Sequence, residues 1–144
     1  DIKKNFSYIF DLNNKSGRPR INLIEIEDNF IEQGIEVIPL KIKHRDWDIF
    51  GYRINNFAYI TDCSLIPDET FNSLYDLDLL ILDSLRYSAH EAHLSVDQAI
   101  EISNKLKPKR TVLTHMSSEL KYQDLVSYLP ENIVPGFDGM SIKI

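Results

Sequence analysis

The stretch "LDLLILDSL", residues 77 to 85, is almost continuously apolar through Leu79 to Leu82, and Thr111, Val112 and Leu113 repeat the pattern over a shorter span. A strand that faces water on one side alternates apolar with polar residues. Strands without an outward polar position belong in a sheet covered on both faces, the usual setting of parallel strands. Between the two runs, "SVDQAIEISNKL" sets Val96, Ala99, Ile100, Ile102 and Leu106 on one helical stripe behind Ser95, a favoured N-cap residue. Strand, helix and strand are therefore predicted in succession over residues 77 to 115.

The first third of the chain has a different period. "INLIEIE" (Ile21 to Glu27) alternates as a half-buried strand does, and "IEVIPLKIKH" (Ile35 to His44) predicts another. "FGYRINN" and "FAYITD" predict a hairpin about Asn55-Asn56. From Pro67 a short helix capped by Asp68 is expected to reach about Leu77. A further helix over Tyr122 to Leu129 stops at Pro130, and "IVPGFDGMSIKI" is expected to close with two short strands around Gly136 and Gly139. Order is least expected in the polar stretch of residues 13 to 17. The resulting fold class is α/β, a meander followed by β-α-β-α-β. It implies a mixed sheet with helices on one face and an apolar second face that something else must cover.

A length of 144 residues suits one domain, and 43% apolar with 26% charged residues suits an ordinary globular one. A net charge of −6 with scattered Lys and Arg argues against an extended nucleic-acid partner, which would need clustered cations. No apolar run is long enough to span a membrane. The single cysteine, Cys63, excludes an internal disulfide and fits a reducing compartment, the cytoplasm.

Strand ends carry the candidate chemistry. "IKH" ends one strand on His44, "YITD" another on Asp62, and "TVLTHMSSEL" a third on His115. In open α/β sheets, ligands gather outside the carboxyl ends of strands, where loops aim side chains from several elements at one point. One histidine at a strand end is more often a hydrogen-bonded structural residue, and Asp62 alone reads as the cap of the turn at Cys63-Ser64. Two imidazoles and a carboxylate at equivalent places form a ligand set suited to zinc, manganese or iron. His90 and His93 precede a helix, where His90 reads first as part of the capping network.

Five segments, "KNFSYIFD", "IPLKIKH" leading to "FGYRINNFAYITDCS", "SLRYSAHEAHLSVDQAIE", "KPKRTVLTHM" and "PGFDGMSI", together resemble the metallo-β-lactamase-fold hydrolases. The branch they resemble is that of the phosphodiesterases that include the phosphoribosyl cyclic phosphodiesterase of the phosphonate pathway. The resemblance implies an αββα sandwich, two divalent ions (zinc or manganese) that activate a hydroxide, and a small, cyclic or nucleotide-like phosphodiester as substrate. It implies His44, Asp62 and His115 as metal ligands, Asp62 bridging, and His93 as a catalytic residue in contact with the phosphate. His90, which has counterparts in the nearest relatives, is a substrate-binding candidate beside it. Arg45 stands where those relatives often carry glycine.

The family's His-x-His-x-Asp-His motif is not found in these 144 residues. They are accordingly expected to be the C-terminal portion of a longer domain, inactive and holding metal weakly or not at all when isolated, with self-association through the uncovered sheet face. Two other readings stand beside the phosphodiesterase: a tRNA 3′-processing nuclease of the same superfamily, which the acidic balance disfavours, and a binding or structural half without catalysis.

Overall fold

The computed structural model describes residues 2–11, 17 and 21–143, so residues 13–16 of the polar stretch singled out above lie outside the described residues. Two short helical turns, α1 (Ile2–Asn5) and α2 (Ser7–Phe10), come first. The strands are β1 (Phe30–Glu32), β2 (Ile35–His44), β3 (Trp47–Ile54), β4 (Phe57–Ile60), β5 (Leu79–Asp83), β6 (Arg110–Thr114) and β7 (Ile133–Pro135). All seven lie in one sheet in chain order. Helix α3 (Asp68–Phe71), continued by a 3-10 turn at Asn72–Leu74, links β4 to β5; α4 (Val96–Leu106) links β5 to β6, and α5 (Tyr122–Tyr128) links β6 to β7. Strands β1 to β4 pair antiparallel and β4 to β7 parallel, so the sheet is mixed, as the change of period predicts.

One face of the sheet holds the core. Leu40, Ile42, Ala58, Ile60, Leu80, Leu82, Leu113 and Ile133 pack there against Leu74, Leu94, Ala99 and Leu106 from the connecting segments. The predicted N-cap Ser95 opens α4, and a capping box completes it: Ser95 Oγ accepts from Gln98 N at 3.3 Å, and Gln98 Oε1 accepts from Ser95 N at 2.8 Å. Such a cap stabilises a helix by about 1 kcal/mol. Ser103 and Thr111, both fully buried, satisfy each other at 2.7 Å and fix α4 over β6. Gly51 lets β3 and β4 meet closely, since a Cβ there would stand 2.9 Å from the Tyr59 carbonyl.

The other face carries the lateral row Tyr52, Tyr59, Ile81, Val112 and Val134. The segment from Gly136 to Ile142 lies over its β6 end and leaves a cavity of about 420 Å³ between them, while Tyr59 and Phe50 remain exposed.

Three expectations are corrected. "INLIEIE" forms no ladder: Ile21, Leu23 and Ile24 are exposed, and the first strand begins only at Phe30. Alternation needs a partner, and here the tight turn at Gln33 (φ 50°) and Gly34 (φ 83°) decides which residues pair, joining Phe30–Glu32 to Ile35–Val37. The helix after Pro67 is shorter than expected, and its cap is Pro67, in extended conformation, with Asp68 already the first helical residue. Of the two closing strands only β7 pairs; beyond it the chain turns at Gly139 (φ 84°) and lies over the sheet without joining it.

Candidate metal centre

Strands β2, β4 and β6 deliver the site. Ile42, Ile60 and Leu113 are fully buried, and His44, Asp62 and His115 each stand two residues beyond one of them. The alternation that turns the aliphatic side chain into the core thus carries a polar one to the rim, where the core ends. At Asp62 (φ 54°) and His115 (φ 61°) the backbone enters the left-handed region on leaving the strands. Non-glycine residues held there cost about 1–3 kcal/mol, a strain that clusters at functional sites.

His93, in the loop between β5 and α4, is the hub. Its ring centroid lies 4.8 Å from that of His44, 4.6 Å from that of His115 and 5.2 Å from that of His90. His115 Nε2 is 3.6 Å from Asp62 Oδ1. His44 Nδ1 donates to the Ala92 carbonyl at 3.0 Å, which leaves Nε2 with the lone pair. His90 Nδ1 accepts from Ala92 N at 3.1 Å, so its neutral ring carries the proton on Nε2. All five residues singled out in the sequence, His44, Asp62, His90, His93 and His115, therefore gather at one edge of the sheet.

Asp83, at the end of β5, belongs with them and was not singled out. Its Oδ1 accepts from Asp62 N at 3.1 Å and lies 3.3 Å from His93 Nδ1, while Oδ2 accepts from Leu94 N at 2.9 Å. Burial pushes this carboxyl above the usual range, although the Leu94 N–H and the imidazole of His93 favour the charged form. The signal was present in "LLILD": a carboxylate closing an apolar run has to find partners inside. Cys63, next to Asp62, is buried, and burial together with the nearby Asp83 charge pushes its thiol to about 12.

Two overlapping triads, His44–Asp62–His93 and Asp83–His93–His115, each bring one ligand atom per residue within 4.8 Å of the others. Neutral imidazole nitrogens and carboxylate oxygens suit zinc or manganese, and the Ala92 carbonyl holds His44 in the tautomer that ligation needs. The residues fit a divalent ion.

A family model described as the beta-lactamase superfamily domain matches residues 1–116. The chain belongs to the beta-lactamase superfamily. Its mixed sheet superposes on the crystal structure of a diphosphatase of the PhnP family with TM-score 0.88 and 34% identity, over 96% of this chain and 52% of that one. Human tRNase Z, short form, shares the superfamily fold at TM-score 0.62 with 23% identity, over 80% of this chain and 46% of that one. An octanoyltransferase from Porphyromonas gingivalis is 32% identical over 99% of this chain, which spans 30% of that protein. The chain thus spans about half or less of each of these relatives.

The described residues include His and Asp groups able to hold a metal ion. No helix among the described residues is long and apolar enough to cross a membrane.

Proposed function

We propose that these residues are the C-terminal portion of a cytoplasmic, metal-dependent phosphodiesterase acting on a small phosphodiester, cyclic esters included. His44, Asp62 and His115 would hold two divalent ions, zinc or manganese, and His93 would be catalytic. The observation that carries this reading is the gathering of four histidines and two carboxylates at one sheet edge, with His93 backed by the buried Asp83. The 34% identity to a PhnP-family diphosphatase supports phosphorus chemistry.

Bound ions would supply an activated water and offset the charge of the phosphoryl oxygens. The chain's own residues do the rest. Asp83 receives Nδ1–H of His93 and orients the ring, so that the doubly protonated imidazole can pass its Nε2–H to the leaving oxygen and remain as the neutral Nδ1–H tautomer. His90, with its proton on Nε2, is a donor for a phosphoryl oxygen. Asp83 also holds the Asp62 amide, so proton donor and carboxylate ligand share one buried anchor.

Catalytic zinc sites usually have three protein ligands per ion, and the three assigned here serve two ions. Further ligands would come from residues beyond these 144. The match to about half of the diphosphatase and the exposed Tyr59 and Phe50 of the second sheet face are in keeping with a second layer on that face, or with self-association through it. The isolated 144 residues should hold metal weakly and turn over nothing.

Two other activities fit less well. A tRNA substrate would need a cationic surface that a chain of net charge −6 lacks. Acyl transfer through Cys63 is disfavoured because its buried thiol, raised to about 12, is no nucleophile at neutral pH. The test is a substrate panel on the metal-loaded full-length protein. Turnover of bis(p-nitrophenyl) phosphate and a cyclic phosphodiester, without thioester or lactam hydrolysis, is expected; the opposite preference would overturn the reading.

A further inference from the structure

Trp47, the only tryptophan of the chain, is 73% exposed. A lone exposed apolar side chain needs no explanation in general, but the place of this one does. It opens β3 directly opposite His44, the last residue of β2, in the register His44↔Trp47. Cross-strand partners put their side chains on the same face with Cβ atoms about 5 Å apart. The largest side chain of the hairpin therefore stands in water beside a candidate metal ligand. Together with Arg45 and Asp46 of the tip, and with His44, it lines a cavity of about 420 Å³.

The tip is held in place. Arg45, with φ 54°, has its amide bound to Ser64 Oγ at 3.0 Å, and its guanidinium pairs with Glu91 at 2.9 Å. His44 ties the same hairpin to Ala92, in the loop that carries His93. An open aromatic face with one cationic and one anionic group beside it matches a planar ring with donors and acceptors on its edge. An aliphatic or purely anionic group would leave the indole unused.

We propose that the tip of the β2–β3 hairpin binds the nucleobase of a nucleoside phosphoester, stacked on Trp47 and met along its polar edge by Arg45 and Asp46. The subsite rests on the phosphodiesterase reading in one respect, that the phosphate borne by the nucleoside's ribose lies at the neighbouring histidines. A single nucleotide also suits the acidic balance of the chain, which disfavours an extended strand.

The test compares adenosine monophosphate with ribose 5-phosphate, which keeps the sugar phosphate and lacks the base. Emission of the wild-type protein minus that of Trp47→Phe isolates the signal of Trp47. Adenosine monophosphate should quench it saturably and bind about 5- to 100-fold tighter than ribose 5-phosphate, the usual range for a stacked base. By calorimetry, Trp47→Ala should erase that ratio and Trp47→Phe should keep most of it. Equal affinities for the two probes, or a ratio that survives Trp47→Ala, would overturn the subsite. Because binding is read without turnover, a protein that shows this ratio yet cleaves no phosphodiester would fault the proposed reaction and leave the subsite standing. Phosphodiester turnover with equal affinities would fault the subsite alone.

Discussion

Asp83 Oδ1 lies 3.3 Å from His93 Nδ1, and the side chain of Asp83 is fully out of water. The same carboxylate accepts the backbone amides of Asp62 and Leu94, so one buried group fixes the end of β4, the loop into α4 and the orientation of an imidazole. Asp83→Asn keeps the shape but turns one acceptor into a donor facing an N–H. Loss of buried charge-assisted bonds should lower the unfolding free energy by about 2–4 kcal/mol, read from urea denaturation. Unchanged stability would mean that Asp83 anchors nothing.

His93 sits in both triads, so its substitution separates two roles. His93→Ala in the metal-loaded full-length protein should lower phosphodiester turnover by roughly 10²–10⁴-fold with metal content kept, as for loss of a positioned acid or base. Metal lost in proportion to activity would make His93 a ligand instead.

The Cys63 thiol is raised from an ordinary value of 9.0 to about 12, chiefly by burial. The sign follows from proton linkage. A group whose folded pKa is raised adds stability that is fully present below its unfolded pKa and is lost as pH climbs through the folded one. Between about pH 9 and 12 the wild type should therefore lose stability that Cys63→Ala does not lose. Parallel pH profiles of the two denaturation midpoints would refute this. The native thiol should also resist a thiol reagent at pH 7 until the chain unfolds.

Arg45 occupies a left-handed conformation, φ 54°, at the hairpin tip. Arg45→Gly removes an exposed ion pair with Glu91, the kind that contributes about 0–1 kcal/mol, and relieves backbone strain of similar size or larger. Thermal melting should show the variant at least as stable as the wild type. A drop of several degrees would show that the Glu91 pair matters more than the backbone does.

What could be read in the sequence depended on which force set each element. The runs at Leu79 to Leu82 and Thr111 to Leu113 lie in the parallel part of the sheet, and the Ser95 cap formed, because burial and local hydrogen bonding both spoke through side-chain type. "INLIEIE" misled because alternation records only that a strand is possible; the pairing was decided by the turn at Gln33-Gly34. The strand-end residues His44, Asp62 and His115 were legible because each continues a core alternation past its last aliphatic residue. Asp83, closing an apolar strand, carried a sign of burial in its place at the end of that run, but its partners Asp62, His93 and Leu94 come from other segments and appear only in the fold. Trp47 was equally silent, since its position opposite His44 exists only once the hairpin register is set.

The central claim is that His44, Asp62 and His115 hold divalent ions on which phosphodiester hydrolysis depends. The most direct measurement is turnover of bis(p-nitrophenyl) phosphate by the full-length protein, stripped with chelator and then titrated with zinc or manganese, alongside Asp62→Asn under the same elemental analysis. Turnover should be absent after stripping and return with added metal. In Asp62→Asn both bound metal and rate should fall, by 10-fold or more in affinity as expected for loss of a ligand or its support. Full turnover in the stripped protein, or wild-type metal content and rate in Asp62→Asn, would contradict the account.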